Sequence, residues 1–339
     1  MNSLPLPPRP PFPSPRRGIR TTAAALACSA ALFLGACASE NSEPTGPEVE
    51  DAVGLTVDSP RVTLHESGTG DLQQLRYADE TSQDQNAVVS VSDGFTQSVV
   101  PAADVDPTAP EGGETSTMRL PVAANVTAAE PAEEDPLPVS RAVSLEVGQP
   151  TFTDLELAED INSTAGFKLG MQTDDRGQQS SVSFAAPVDA TDTGRLLMEQ
   201  YLLKYASLPV VFPQDEVGVG ASWSVDSRVS GESSLLQTVT FTITGMRGDV
   251  VDLDVSISQR PSLGAIDISQ DTTGVTEETP EQLAVLNSNT TSAGEISVDL
   301  TQPVPTSGAI SWTTRVVYGG GADDLRVVQD TTSAISFED

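Results

Sequence analysis

Strict two-residue alternation in the second half of the chain narrows its possible folds more than any other feature. From Thr238 to Thr244, threonine alternates with Val239, Phe241 and Ile243. After Gly245-Met246-Arg247-Gly248, the residues Val251, Leu253, Val255 and Ile257 alternate with Asp252, Asp254, Ser256 and Ser258. A period of two puts every apolar side chain on one face of an extended strand, and turn chemistry between two such runs makes a β-hairpin. One wet face suits an antiparallel sheet and not a buried parallel one. The alternation returns at Ile296, Val298 and Leu300, at Ile310, Trp312, Val316 and Tyr318, at Leu325 and Val327, and at Ile335 and Phe337. The expected fold class is therefore α+β, mainly β: a curved antiparallel sheet, laid out as a meander, with one to three helices packed on it.

The first half is more lightly built. Strands are expected from Leu72 to Tyr77, Val88 to Val99, Met118 to Thr127 and Arg141 to Val147, with a Pro- and acid-rich stretch from Pro101 to Pro138 around the third. Of the aromatic residues beyond position 37, only Tyr77 and Phe95 precede residue 150, which places the core in the second half. A helix is expected from Arg195 to Tyr205, capped by Asp192 or Thr191 and stopped before Pro209. Its apolar residues cover more than one face, so it should be buried deeply between sheet and loops. Thr279-Pro280-Glu281-Gln282 reads as a capping box for a second, short helix through Leu283 and Leu286, and a third is expected between Thr153 and Ala165.

The N-terminus is of another kind. Arg9, Arg16, Arg17 and Arg20 precede a charge-free run from Thr21 to Ala36, and no acidic residue occurs before Glu40. The run is shorter than the ~18 apolar residues a membrane-spanning helix needs, so residues 1–36 read as a cleaved export signal. It ends in Leu34-Gly35-Ala36-Cys37, which resembles the bacterial lipobox. That resemblance implies cleavage before Cys37 and a diacylglycerol thioether, of the palmitate-bearing kind, on its sulfur. Two acyl chains at one residue anchor firmly where one is marginal. An ordinary secretory signal with an accidental Cys is the competing reading. Arg16-Arg17-Gly18-Ile19-Arg20 matches a twin-arginine signal loosely, leaving the export route open. The expected place is thus the cell membrane, lipid-anchored on its extracytoplasmic face. Residues 37–70 carry seven acidic residues and no aromatic, the composition of a disordered acidic tether. Residues 71–339 form the β-rich domain, with two lobes, 71–185 and 210–339, as its expected subdivision.

Charge and chemistry exclude more than they assign. Without the four arginines of the leader, the 17 basic residues fall to 13 against 49 acidic ones, a net charge near −36. Such a surface repels nucleic acid and anionic lipid heads. Cys28 leaves with the signal and Cys37 is its product, so no disulfide is expected and stability rests on burial. A single histidine, His65, removes Ser-His-Asp and Cys-His catalysis and His-rich zinc sites. Asp192-Thr193-Gly194 matches the aspartic-protease tripeptide, but it has no second copy and precedes a helix, so Asp192 reads as a cap. Asp249, Asp252 and Asp254 could be drawn as a calcium cluster; a solvated strand face is the favoured reading. No catalytic constellation, cofactor or metal site is expected. The scarcity of lysine, present only at Lys168 and Lys204, points to a GC-rich, actinobacterial source.

The most distinctive stretch is Phe212-Pro213-Gln214-Asp215-Glu216-Val217-Gly218-Val219-Gly220-Ala221-Ser222-Trp223. Together with Leu75-Arg76-Tyr77, the hairpin of residues 238–258 and Asp299-Leu300-Thr301-Gln302-Pro303-Val304-Pro305-Thr306-Ser307-Gly308, it resembles an uncharacterised family of secreted actinobacterial lipoproteins. That resemblance implies a compartment and a β-rich class, and no activity. Two readings of function follow. In one, the sheet and helix enclose an apolar groove, lined from Leu196 to Tyr205, that holds a lipid or other hydrophobic envelope molecule. In the other, the core is filled and the protein serves as a structural or interaction lipoprotein without a ligand.

Overall fold

A computed structural model of the chain describes residues 46–129, 139–229, 235–267, 282–320 and 324–339. The leader, Cys37 and the capping residues Thr279, Pro280 and Glu281 lie outside them. Three short strands come first: β1 (Val53–Thr56), β2 (Arg61–Glu66) and β3 (Thr69–Gln73). Next are β4 (Gln85–Pro101), β5 (Ser116–Ala128), β6 (Arg141–Val147) and β7 (Thr151–Phe152). A short helix, α1 (Ala158–Asn162), leads to β8 (Lys168–Thr173), β9 (Gln179–Ala185) and the main helix α2 (Asp192–Ala206). The remainder is strand: β10 (Val217–Val219), β11 (Ser222–Val229), β12 (Leu235–Arg247), β13 (Val250–Pro261), β14 (Ala265–Asp267), β15 (Gln282–Asp299), β16 (Ser307–Gly319) and β17 (Leu325–Glu338). The protein is mainly β, as its alternation demands.

One antiparallel sheet runs β1-β9-β8-β6-β5-β4-β17-β16-β15-β13-β12-β11-β2. Its two halves are joined where β17 pairs with β4, from Leu325↔Pro101 to Glu338↔Val88, so they share one sheet and do not form separate lobes. Laid flat, thirteen strands at ~4.8 Å spacing would hold β1 and β2 about 58 Å apart. Only Val57, Asp58, Ser59 and Pro60 connect those two edge strands, a reach of at most about 19 Å. The sheet must therefore roll, bringing its edges together around the core. Curvature here is a consequence of topology and chain length.

Several expectations are corrected. Residues 53–56, 61–66 and 69–70, read as tether, lie in strands: β1 pairs with β9, and β2 pairs with β11. Their acidity misled, because edge strands with an exposed face carry charge without losing their ladder. The helix expected through Leu283 and Leu286 is instead part of β15, whose ladder with β16 runs from Ala284↔Gly319 to Ser297↔Ser307. Pairing over that length overrides a four-residue capping signal. The helix expected between Thr153 and Ala165 shrinks to α1 and a preceding turn, Leu155–Leu157, whose start is held by Asp154 accepting from the Glu156 N–H. The strand expected at Leu72–Tyr77 begins and ends early, at Thr69–Gln73. The turn between β12 and β13 is also tighter than expected: Gly245 to Arg247 still pair within β12, after a bulge between Ile243 and Gly245, and Gly248, at φ 61°, turns the chain. Positive φ there suits a two-residue hairpin and costs glycine nothing.

Inside the roll, α2 buries Gly194, Met198, Tyr201, Leu202 and Ala206, one stripe at helical spacing. Leu196 and Leu203 remain 67% and 40% exposed, so the helix is not buried all round. Below it, Trp223 stacks on Phe241 with centroids 5.5 Å apart and touches Phe212 at 5.8 Å, while its indole N–H donates to the Val211 carbonyl at 2.7 Å. At the C-terminal end of α2 the apolar core gives way to a bonded polar belt. Gln259 donates to Gln237 at 2.7 Å, Thr314 donates to Gln259 at 3.0 Å, and Gln237 donates to the Ser207 carbonyl at 3.1 Å. Lys204 meets Asp93 and Ser333 alongside.

One seam in the wall is built differently. The β13–β15 ladder stops at Asp254↔Glu295, and pairing with β15 resumes only in β14, at Ala265↔Ala284. Between these points side-chain hydroxyls stand in for carbonyls. Ser292 accepts from the Ile257 N–H at 2.8 Å and Thr290 from the Gln259 N–H at 2.9 Å, while Ser288 donates to the Gln259 carbonyl at 3.2 Å.

Candidate functional site

Where α2 ends, the roll holds a partly open cavity of about 80 Å³. Its walls are largely apolar, with Val143, Met171, Phe241, Ile296, Ile335 and Phe337 among them. Two proline-bearing straps border it, Leu208-Pro209-Val210 and Pro303-Val304-Pro305. The second is clamped by buried Gln85, which donates to the Val304 carbonyl and accepts its N–H, both at 3.0 Å.

Three polar side chains face the cavity with hydrogen-bonding capacity left over. Arg141, 3% exposed, is the first residue of β6 and shares the inward register of Val143, Leu145 and Val147. Its Nε donates to the Ala78 carbonyl at 2.8 Å and its Nη1 to Thr173 Oγ1 at 3.3 Å. The guanidinium carbon lies 4.7 Å from the Tyr77 ring centroid, a cation–π stack. Among the described residues, Nη2 has no acceptor and no carboxylate pairs with Arg141. The nearby acids are engaged elsewhere: Asp174 with Arg176 at 2.8 Å, Asp175 with Arg76 at 3.2 Å, and Asp79 with the Ser140 hydroxyl at 3.1 Å. Burial lowers the Arg141 pKa, and the fields of Tyr77, Asp79, Asp174 and Asp175 oppose that shift. A guanidinium nonetheless stays charged. Tyr205, in the last turn of α2, is the second group; its hydroxyl has no partner among the described residues, and burial pushes its pKa well above the ordinary tyrosine value. The third is Gln302, whose Oε1 is buried without a partner. Its backbone N–H is fixed to the Asp299 carbonyl at 2.9 Å. Tyr77, also raised by burial, closes the rim through its hydroxyl to the Val210 carbonyl at 3.3 Å.

This is a small, largely apolar chamber with one cation, which no described carboxylate contacts directly although three lie near enough for their fields to reach it. It falls well short of the ~300–1,000 Å³ of pockets that hold drug-sized ligands. The groove expected from Leu196 to Tyr205 is present only at its last residue, joined by Ala206. Met198, Tyr201 and Leu202 are packed into the core, and Leu196 is on the outside. Arg141 and Gln302 were not anticipated as site residues. The first had a readable signal, a charged residue in step with the apolar positions of a strand.

The other sequence candidates separate. Thr191 caps α2, accepting from the Gly194 N–H at 3.1 Å, and Asp192 sits in the first turn, where a negative charge suits the helix N-terminus. Gly194 packs so closely on α1 that a Cβ there would meet the Asp160 carbonyl oxygen at 2.2 Å, which explains the glycine of the tripeptide. Asp252 is taken by Arg247 and by the Ser297 hydroxyl at 2.7 Å, whose hydrogen bonds hold its carboxyl below the usual range. Asp254 lies exposed across from Thr242 and Glu295. Among the described residues no group of three or more His, Cys, Asp or Glu side chains is placed to hold a metal. His65 lies exposed on β2. No described helix is long and apolar enough to cross a membrane. The chain matches no protein-family model, and no curated protein is similar to it at a significant level.

Proposed function

We propose that this protein is a lipid-anchored binding module of the extracytoplasmic membrane face, holding a small, mostly apolar ligand at the C-terminal end of α2. The anchor rests on the lipobox-like Leu34-Gly35-Ala36-Cys37 and the basic, then uncharged, leader before it. The observation that carries the binding reading is the cavity itself: well-packed interiors rarely leave such a space, and this one gathers unspent polar groups from β6, α2 and the β15–β16 loop. An extended acyl chain exceeds about 80 Å³, so a full-length lipid could enter only if the two straps moved apart.

Native mass spectrometry of the full chain carrying Cys37→Ala tests this reading. A co-purified small molecule, or uptake of a short aliphatic probe, supports it, and a bare mass with no uptake overturns it. The same variant should leave the membrane fraction; if it stays there, the anchor assignment is wrong. A filled-core interaction lipoprotein is the second reading, favoured by the close packing of Met198, Tyr201 and Leu202.

A further inference from the structure

We infer that the cavity takes a short aliphatic monocarboxylate, its carboxylate on Arg141 and Tyr205 and its tail against Val143, Ile296 and Phe337. This rests on the binding reading above and names its ligand class. A buried guanidinium is costly unless a counter-charge or full hydrogen bonding compensates it. Here Nε and Nη1 each have an acceptor, Nη2 has none among the described residues, and Arg141 lines the cavity. Tyr205 adds a hydroxyl with no partner among those residues. Gln302 adds an amide whose buried oxygen is unbonded; with oxygen and nitrogen exchanged, the same amide would donate. A planar carboxylate can accept from a guanidinium edge and a phenol together. A phosphate suits the site less well. The site offers one cation, and the fields of Asp79, Asp174 and Asp175 already reach it, so a second negative charge would go uncompensated. The tail must be short, because about 80 Å³ is half the ~150 Å³ of a cavity that admits benzene.

Isothermal titration of the full Cys37→Ala chain with butyrate, butyramide and 1-butanol decides the matter. Butyrate should bind at least tenfold more tightly than the two uncharged probes. Tyr205→Phe should weaken butyrate several-fold, Arg141→Gln should abolish its preference over butyramide, and Gln302→Leu should weaken it less. Near-ultraviolet circular dichroism shows whether each variant keeps the native fold, and Tyr205→Phe carries the test if Arg141→Gln does not. If all three probes bind alike, the apolar chamber stands and the carboxylate assignment is overturned. If folded Tyr205→Phe and Gln302→Leu leave butyrate binding unchanged, it is likewise overturned. If no probe binds, the binding reading falls with it.

Discussion

Replacing Asp174 with alanine should destabilise this protein far more than its surface-like acidic character suggests. Asp174 closes the turn between β8 and β9, and its side chain is 7% exposed. One carboxylate oxygen accepts the backbone N–H of Arg176 at 2.9 Å and of Gln178 at 2.8 Å. The other accepts the Arg176 guanidinium, Nε at 3.1 Å and Nη2 at 2.8 Å, and that guanidinium is itself only 14% exposed. Alanine would strand a buried cation and two turn N–H groups at once. Removing one partner of a buried ion pair costs about 3–5 kcal/mol, and unsatisfied N–H groups cost about 1–3 kcal/mol each. These overlap, since the turn can relax towards water, so a loss of about 4 kcal/mol is expected. Urea unfolding followed by the emission of the two buried tryptophans, Trp223 and Trp312, would measure it as a lower midpoint at unchanged slope. Asp175→Ala is the control: that side chain is 48% exposed and makes one ion pair, with Arg76 at 3.2 Å, so its removal should cost under about 1 kcal/mol. Equal losses for the two variants would refute the reasoning, because burial would then not be deciding the cost.

Thr290→Val should lose about 1–3 kcal/mol by the same unfolding assay, since it strands the Gln259 N–H at the seam while conserving shape. A null effect would mean that the seam is hydrated. Gly194→Ala should destabilise despite improving helix propensity, because its Cβ would meet backbone at 2.2 Å; a gain in melting temperature would contradict the close approach of α1 and α2. Alkaline pH should also weaken the fold. Burial, and after it the charge on Asp93, raises the Tyr201 pKa from its ordinary 10 to about 12, so the folded state holds a proton that the unfolded chain releases first. That contribution is complete below about pH 10 and is lost as pH rises towards 12. Unfolding across that window should be less steep in Tyr201→Phe, and identical profiles would count against a buried phenol.

The site shows where local reading stops. Its groups come from Tyr77, Arg141, Tyr205 and Gln302, on four separate segments, and no spacing along the chain encodes their meeting. Arg141 alone left a trace, as a cation in step with Val143, Leu145 and Val147. Reading that trace as a site requires knowing that Asp174 and Asp175 are already taken. The fate of Leu196 was equally hidden, since a helix with apolar residues on several faces does not say which face its neighbours will cover.

The strongly alternating strands, their inward faces and the long helix were legible from the residues alone, because period and capping are properties of neighbouring residues, whereas the short strands β1–β3 and β8–β10 were not. The hairpin of β12 and β13 was legible in this way, as was α2 with its Thr191 cap. That residues 282–299 extend, where a capping box suggested a turn of helix, depends on long-range pairing, since the β16 ladder stabilises more than a cap does. Tertiary structure alone joined the two halves through β4 and β17 and rolled the sheet, because the Thr56–Arg61 connection is too short to bridge a flat one. The cavity exists for that reason: closure brings distant segments face to face, and what their side chains fail to fill is set by the fit between them.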